Sequence, residues 1–314
     1  MQFYSLIAPA KINLYLDIIG DRPDGFHELV MILQSVELAD RVDLQPSDTQ
    51  NIHLYCDHPQ VPADETNLAY RAAQLMCDTF PERYANYGGV SIRITKNIPV
   101  AAGLAGGSSN AAAVLVGIDL LWQLGLTQPE LQELAADIGS DVPFCVGGGT
   151  AIATGRGEQL DEIRRLSNIW VVLAKYENIS VSTPWAYQTY RQQYSDTYVS
   201  DAAAIKARMA NIRSIPLVDA ISHQNTPKIG QLLSNDLEKV VLPEYPQVAQ
   251  LKSAFAQAGV LGTMMSGSGP TVFALCESEE RAIAVSQQVK TQIANSQLKF
   301  WVTKFSTSGI QVKS

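Results

Sequence analysis

Apolar and polar residues alternate from Ile12 to Ile18, with Ile12, Leu14, Leu16 and Ile18 on one side, the period of a half-buried strand. The same reading predicts strands over 29–38, 41–44, 52–56 and Val90–Thr95, separated by turns. The period changes to that of a helix over 67–80, where Leu68, Ala72, Leu75 and Met76 share a face. A run of strong helix formers predicts a second helix over 111–124. Thr127 as a cap and Pro129 in the first turn open a third, over 130–138. Glycine clusters at 147–149 and 155–157 bracket a strand over 150–154, and 170–174 reads as another. Beyond it the pattern is mainly helical, over 185–194, 201–211, 228–233 and 248–257. Strands at 271–276 and 300–305 then flank a helix over 279–294. The polar segment 194–201 is expected to be a mobile surface stretch. Strands first and mixed elements afterwards predict an α+β fold rather than a regularly alternating parallel sheet.

A chain of 314 residues is long for one core, which predicts two domains dividing near 155–170. Apolar content of 46%, charged content of 17% and mean hydropathy near zero describe an ordinary soluble globular protein, with a cytoplasmic setting expected. A net charge of −8 argues against non-specific nucleic-acid binding, which draws its affinity from clustered Lys and Arg. Small anions need only local positive potential and stay in play. No apolar run approaches the ~18 residues that span a bilayer, so no membrane partner is expected. Cys56, Cys77, Cys145 and Cys276 lack metal-site spacing and are read as free thiols in a reducing compartment.

Residues 99–113, Pro-Val-Ala-Ala-Gly-Leu-Ala-Gly-Gly-Ser-Ser-Asn-Ala-Ala-Ala, carry the most chemistry. A strand upstream and a helix downstream of a glycine loop leave backbone N–H groups free at the helix start, where the dipole favours an anion. No lysine follows the glycines as in a Walker A element, and Gly103, Gly106 and Gly107 lack the dinucleotide spacing. The plainer alternative is a flexible connector with Ser108 or Ser109 as N-cap.

Four further features invite chemistry. Lys11 is the only charge in Phe3–Leu16, inside a strand pattern with Asn13 on its face, and is either an edge gatekeeper or a functional group. Residues 21–28 form a turn on Pro23 and Asp24-Gly25, yet turn chemistry does not account for Phe26-His27, a ring and an imidazole able to stack on a heterocycle and bond its edge. Asp141, before Pro143, is either an N-cap or, if the fold brings it to Lys11, a carboxylate able to take a hydroxyl proton. Met265-Ser-Gly-Ser-Gly-Pro-Thr271 is a second glycine turn between strand-like segments, a hairpin that could buttress the first loop.

Pro-x3-Gly-Leu-x-Gly-Gly-Ser-Ser at 99–109, Asp-Val-Pro at 141–143 and Gly-Ser-Gly-Pro at 267–270 together resemble the GHMP kinases. Ala10-Lys-Ile-Asn-Leu14, Arg22-Pro-Asp-Gly-Phe-His-Glu28, Thr66-Asn-Leu-x-x-Arg-Ala72 and Gly-Gly-Ser-Ser-Asn-Ala-Ala resemble its family of 4-diphosphocytidyl-2-C-methyl-D-erythritol kinases, over essentially the whole chain. The resemblance implies a two-domain kinase, 1–160 binding ATP and 161–314 forming the second domain, with the active site between them. It implies ATP with Mg²⁺ as cofactors and a small substrate carrying a cytidine diphosphate. It assigns ATP to Pro99, Val100, Ala101, Ala102, Gly103, Leu104, Ala105, Gly106, Gly107, Ser108 and Ser109, with its phosphates over Gly103–Ser109 and its adenine near Asn67, Lys96 and Asn110. Lys11 and Asp141 become catalytic. Asn13, Phe26, His27, Thr183 and Tyr187 become substrate-binding, with Trp185 as the alternative aromatic; Ser109 is a candidate metal ligand. Two positions depart from the family pattern. Ala105 replaces a common glycine and is expected to keep a negative φ, and Phe26 replaces a tyrosine, losing one hydroxyl.

Overall fold

Two long strands organise the molecule, whose structure, a computed structural model, describes residues 3–47, 49–199, 201, 203–205, 207 and 215–313. β1 (Tyr4–Asp21) and β2 (His27–Pro46) pair antiparallel, with register shifts between Pro9 and Lys11, Asn13 and Tyr15, and Ile18 and Gly20. Such bulges bend and twist the ribbon without ending it. The segments read as separate strands over 29–38 and 41–44 are therefore one element. β2 is shared along its far edge, pairing β4 (Val90–Thr95) over its second half and β5 (Thr150–Gly155) over its first. β3 (His53–Cys56) lies parallel to β4, and β6 (Gln159–Glu162) pairs with β5.

β7 (Trp170–Tyr176) opens a second sheet. It lies between β11 (Leu298–Lys304) and β10 (Val272–Cys276), and β9 (Gly262–Met265) closes the antiparallel order β11-β7-β10-β9. Two short strands return to the first sheet: β8 (Ser234–Asn235) parallel and β12 (Gln311–Val312) antiparallel, both against β1.

α1 (Leu68–Thr79), α2 (Pro81–Tyr87), α3 (Gly106–Trp122), α4 (Gln128–Ile138) and α5 (Val142–Gly147) belong to the first half. α3 is apolar nearly all round, with Ala111 to Leu115 fully buried, so it forms the axis of that core. α6 (Thr183–Tyr194), α7 (Pro216–Ser222), α8 (Thr226–Gln231), α9 (Glu238–Glu244), α10 (Pro246–Gln257) and α11 (Glu279–Ile293) accompany the second sheet. A continuous core joins the sheets, Ile12 and Ile32 of one meeting Leu173 and Phe273 of the other.

Most helical readings shift by only a few residues. The helix read over 111–124 starts five residues earlier, because Gly106 to Asn110 already turn helically; its N-cap position is Ala105, and neither Ser108 nor Ser109 caps it. Ala105 has φ +54, not the negative value expected, and its neighbours impose that strain. Of the 194–201 segment, residues 194–199 are tied down: a 3₁₀ turn over Ser195–Thr197 leads to Val199, whose N–H donates to the Ile19 carbonyl. The helix read over 201–211 falls largely outside the described residues.

Candidate active site

A cleft of about 960 Å³ opens where β1, β2 and the glycine loop meet α6 and the 267–269 turn. Its floor is the glycine loop. Ala101, Gly103 and Ala105 have φ +49, +72 and +54, so every second residue turns left-handed, a pattern that points successive N–H groups to one side as an anion cradle. Ser109 N–H makes the first helical bond, to the Ala105 carbonyl at 2.9 Å. The N–H groups of Gly106, Gly107 and Ser108 precede it without an intrahelical acceptor and form the dipole-positive end of α3, which favours an anion.

The second glycine turn locks onto this loop. Ser266 Oγ donates to the Gly103 carbonyl at 3.0 Å, while Asn235 Nδ2 donates to the Met265 and Gly267 carbonyls, each at 2.8 Å. Gly103 is obligatory there, since a Cβ would lie 2.3 Å from the Ser266 carbonyl oxygen.

Lys11 is buried within β1, not at an edge, so its charge has to be answered inside the protein. Its Nζ donates to Asn13 Oδ1 at 2.9 Å and sits 3.4 Å from Asp141 Oδ2. Asp141 occupies the N-cap position of α5 but makes no side-chain cap bond; its carboxylate, 31% exposed, stands in the cleft wall. A Cβ on Gly267 would come within 3.7 Å of Lys11 Nζ, so both halves of the chain meet at this pair.

At the far end lie Phe26 and His27. Phe26 is half-exposed at the turn, with the Arg156 guanidinium 5.4 Å from its ring centre. His27 is buried, its ring 5.1 Å from Tyr187 and edge-on to Tyr198 at 5.9 Å. Burial and the nearby Arg191 cation hold the imidazole below its usual pKa, against a smaller opposing pull from Asp21. Its Nε2 is buried without a hydrogen bond among the described residues, and sits 3.6 Å from Asp21 Oδ1. Tyr187 lines the cleft, whereas Trp185 packs edge-on against Tyr245 at 5.8 Å. Thr183 Oγ1 shares a 2.7 Å hydrogen bond with Ser268 Oγ.

Residues 67–149 match the GHMP kinases N terminal domain and 217–295 the GHMP kinases C terminal domain. A 4-diphosphocytidyl-2-C-methyl-D-erythritol kinase of Gloeothece citriformis is 64% identical over 100% of this chain and 99% of its own, and one of Nostoc punctiforme is 62% identical with the same coverage. The crystal structure of a 4-(cytidine 5'-diphospho)-2C-methyl-D-erythritol kinase superposes with TM-score 0.74 at 29% identity, covering 96% of this chain and 99% of that one. The chain belongs to this family of GHMP kinases. A Cytophaga hutchinsonii homoserine kinase, 21% identical at TM-score 0.75 over 100% and 98% of the two chains, shares the fold.

Within this GHMP kinase cleft, nearly all residues singled out from the sequence gather on the walls: Pro99 to Ser108, Asn67, Lys96, Asn110, Lys11, Asn13, Phe26, His27, Asp141, Thr183 and Tyr187. Ser109 is the exception. Its Oγ is fully buried beneath the loop beside the Cys145 thiol, without a well-aligned hydrogen bond. Asn67 caps α1, accepting from Ala69 N–H at 2.9 Å and donating to the Pro62 carbonyl at 2.6 Å, which leaves one amide N–H for a ligand. Sequence reading missed Arg156 and Arg191, surface-like in composition, and Asp40, discussed below. The four cysteines are unpaired, three of them buried and Cys56 half-buried. No helix among the described residues is long and apolar enough to cross a membrane.

Proposed function

We propose that this protein transfers the γ-phosphoryl of ATP to the 2-hydroxyl of 4-diphosphocytidyl-2-C-methyl-D-erythritol, an intermediate of non-mevalonate isoprenoid biosynthesis. The observation that carries this reading is the convergence of Lys11 and Asp141, 3.4 Å apart, in the cleft floored by the glycine loop. Phosphoryl transfer demands mostly positioning and charge stabilisation, and the site offers both. The free amides and the α3 dipole receive the triphosphate, so its charge meets fixed dipoles rather than water. Asp141 faces the acceptor hydroxyl and takes its proton as the P–O bond forms. Lys11, held by Asn13, offsets negative charge developing on the acceptor oxygen.

Mg²⁺ fits the same wall. It favours oxygen ligands, commonly one or two protein oxygens with phosphates and water, and the Ser108 side chain lines the cleft as such a donor, while Asp141 is kept for the proton by its pairing with Lys11. Bound there it would neutralise phosphate charge. The buried position of Ser109 disfavours it as a direct ligand. Residues 1–160 form the ATP-binding half and 161–314 the other. Four free thiols suit a reducing, cytoplasmic setting.

The acceptor's cytosine stacks at Phe26 and Tyr187, and His27 Nε2 reads its edge. His27→Ala is expected to raise the KM for the cytidylyl substrate about tenfold, the worth of one buried hydrogen bond, while the KM for ATP stays constant. Equal changes in both would make His27 purely structural. Because burial and Arg191 disfavour the imidazolium, the acceptor KM should stay flat as pH falls through 6.5 and climb only below it. A rise beginning above pH 7 would contradict a neutral His27. A coupled assay across cytidylyl, homoserine and mevalonate acceptors tests the function itself; turnover of only the last two would overturn it.

A further inference from the structure

Asp40 is fully buried in β2, 1% exposed, and no step above uses it. Its position is anomalous. Val36, Leu38, Asp40, Val42 and Leu44 follow the inward parity of the strand, so a carboxylate replaces an apolar side chain in the core register. Four donors converge on it. Oδ1 accepts the backbone N–H groups of Asn97 at 2.7 Å and Ile98 at 2.8 Å; Oδ2 accepts Asn110 Nδ2 at 2.9 Å and a short ion pair from Lys96 Nζ. Lys96 Nζ also donates to Asn110 Oδ1 at 3.2 Å, closing a three-membered polar ring.

The ring lies directly under the nucleotide loop. A Cβ on Gly106 would come within 3.1 Å of Lys96 Nζ, and Lys96 and Asn110 both line the cleft, on the side where Val61, Pro62 and Leu68 form an apolar wall. A lysine free beside a phosphate cradle would act as a phosphate clamp. Here the carboxylate in contact cancels most of its field and consumes one of its three N–H groups, and Asn110 takes a second. What remains is one directed donor of nearly compensated charge, suited to a neutral ring nitrogen rather than to a polyanion.

We propose that Asp40 is a positioning residue for the nucleotide: it fixes Lys96 as a charge-compensated hydrogen-bond donor to adenine N1, an acceptor where guanine carries an N–H, and sets Asn110 as that lysine's brace. Asp40 also ties the 97–98 backbone to β2, so the entrance to the glycine loop and the base-reading donor share one anchor. The inference rests on the reading of this loop as the ATP site.

The test is Asp40→Asn in the full chain, with kinetics against ATP, GTP and the cytidylyl acceptor. Asn keeps an oxygen for the Asn97 and Ile98 amides but turns an NH₂ toward Lys96, freeing its charge. The expected result is a fall of about tenfold or more in the ratio of kcat/KM for ATP over GTP, with acceptor KM unchanged. A purely structural role would lower both nucleotides and the acceptor together, and that outcome, or an unchanged ratio, overturns the proposal. If Asp40→Asn fails to fold, the double variant Asp40→Asn/Lys96→Met removes both charges from the core and should lose the same discrimination; retention of the wild-type ratio sinks the idea. Absence of ATP turnover by the unaltered protein would instead refute the site reading on which it stands.

Discussion

Asp141→Asn is expected to lower kcat by about 10²–10⁴-fold while leaving affinity for a non-hydrolysable ATP analogue within about threefold. The substitution keeps the size and planarity of the side chain, and an amide oxygen can still face Lys11 Nζ. What disappears is the ability to accept a proton. Because the triphosphate sits over the loop amides rather than on this carboxylate, binding and chemistry should separate cleanly. Steady-state kinetics with titration calorimetry make the comparison. Near-normal turnover in the variant would remove Asp141 as the base and leave the transfer to positioning alone, which the loose transition state of phosphoryl transfer permits in principle. Equal losses in turnover and in nucleotide binding would point to a collapsed α5 instead.

Gly103→Ala should damage both stability and nucleotide binding by adding a single methyl. At φ +72 an alanine pays about 1 kcal/mol of backbone strain, and its Cβ would lie 2.3 Å from the Ser266 carbonyl oxygen and 3.1 Å from Gly269 N. Relieving that overlap means parting the two glycine turns, at a further ~1–3 kcal/mol. The Ser266–Gly103 hydrogen bond goes with it. Thermal unfolding should shift down by several degrees, and the KM for ATP should rise about tenfold because the cradle loses its backing. Gly107→Ala is the stability control. Its Cβ would meet only Leu68 Cδ1 at 3.7 Å, and its melting temperature should stay close to that of the unaltered chain. Similar melting temperatures for the two variants would show that the turns are not mechanically linked.

Much of the site was legible because its chemistry is local in the chain. The glycine loop announces itself by composition, and the strand before it and helix after it by periodicity. Lys11 stands out as the only charge between Phe3 and Leu16, though only the fold reveals that it is buried and that the charge meets Asp141, 130 positions away. Ala105 shows the reverse. Its left-handed φ is imposed by the loop on either side, and no single-residue preference would assign it. The helix start was misplaced for a related reason: glycines at 106 and 107 are poor helix formers, but packing of Ala111 to Leu115 on every face outweighs their propensity.

Asp40 was readable and missed. Its signal was a charge in phase with Val36, Leu38, Val42 and Leu44, visible only when 29–38 and 41–44 are seen as one strand. Splitting them at Leu38 hid the parity. Tyr187 was separable from Trp185 only by tertiary packing, since the two lie within one helical turn on α6. Arg156 and Arg191 carry no sequence mark at all; one is set at the cleft by the turn after β5 and the other by α6.

β1 receives β8 and β12, drawn from residues 234–235 and 311–312, against the strand that also carries Lys11. During synthesis on a ribosome the outer backbone groups around Leu6–Ile7 and Tyr15–Leu16 therefore stay unpaired until those distant residues emerge, short open edges able to recruit strands from other chains. Closing such remote pairings is entropically slow, so maturation of the enzyme should be governed by late arrivals rather than by the long hairpin that forms first.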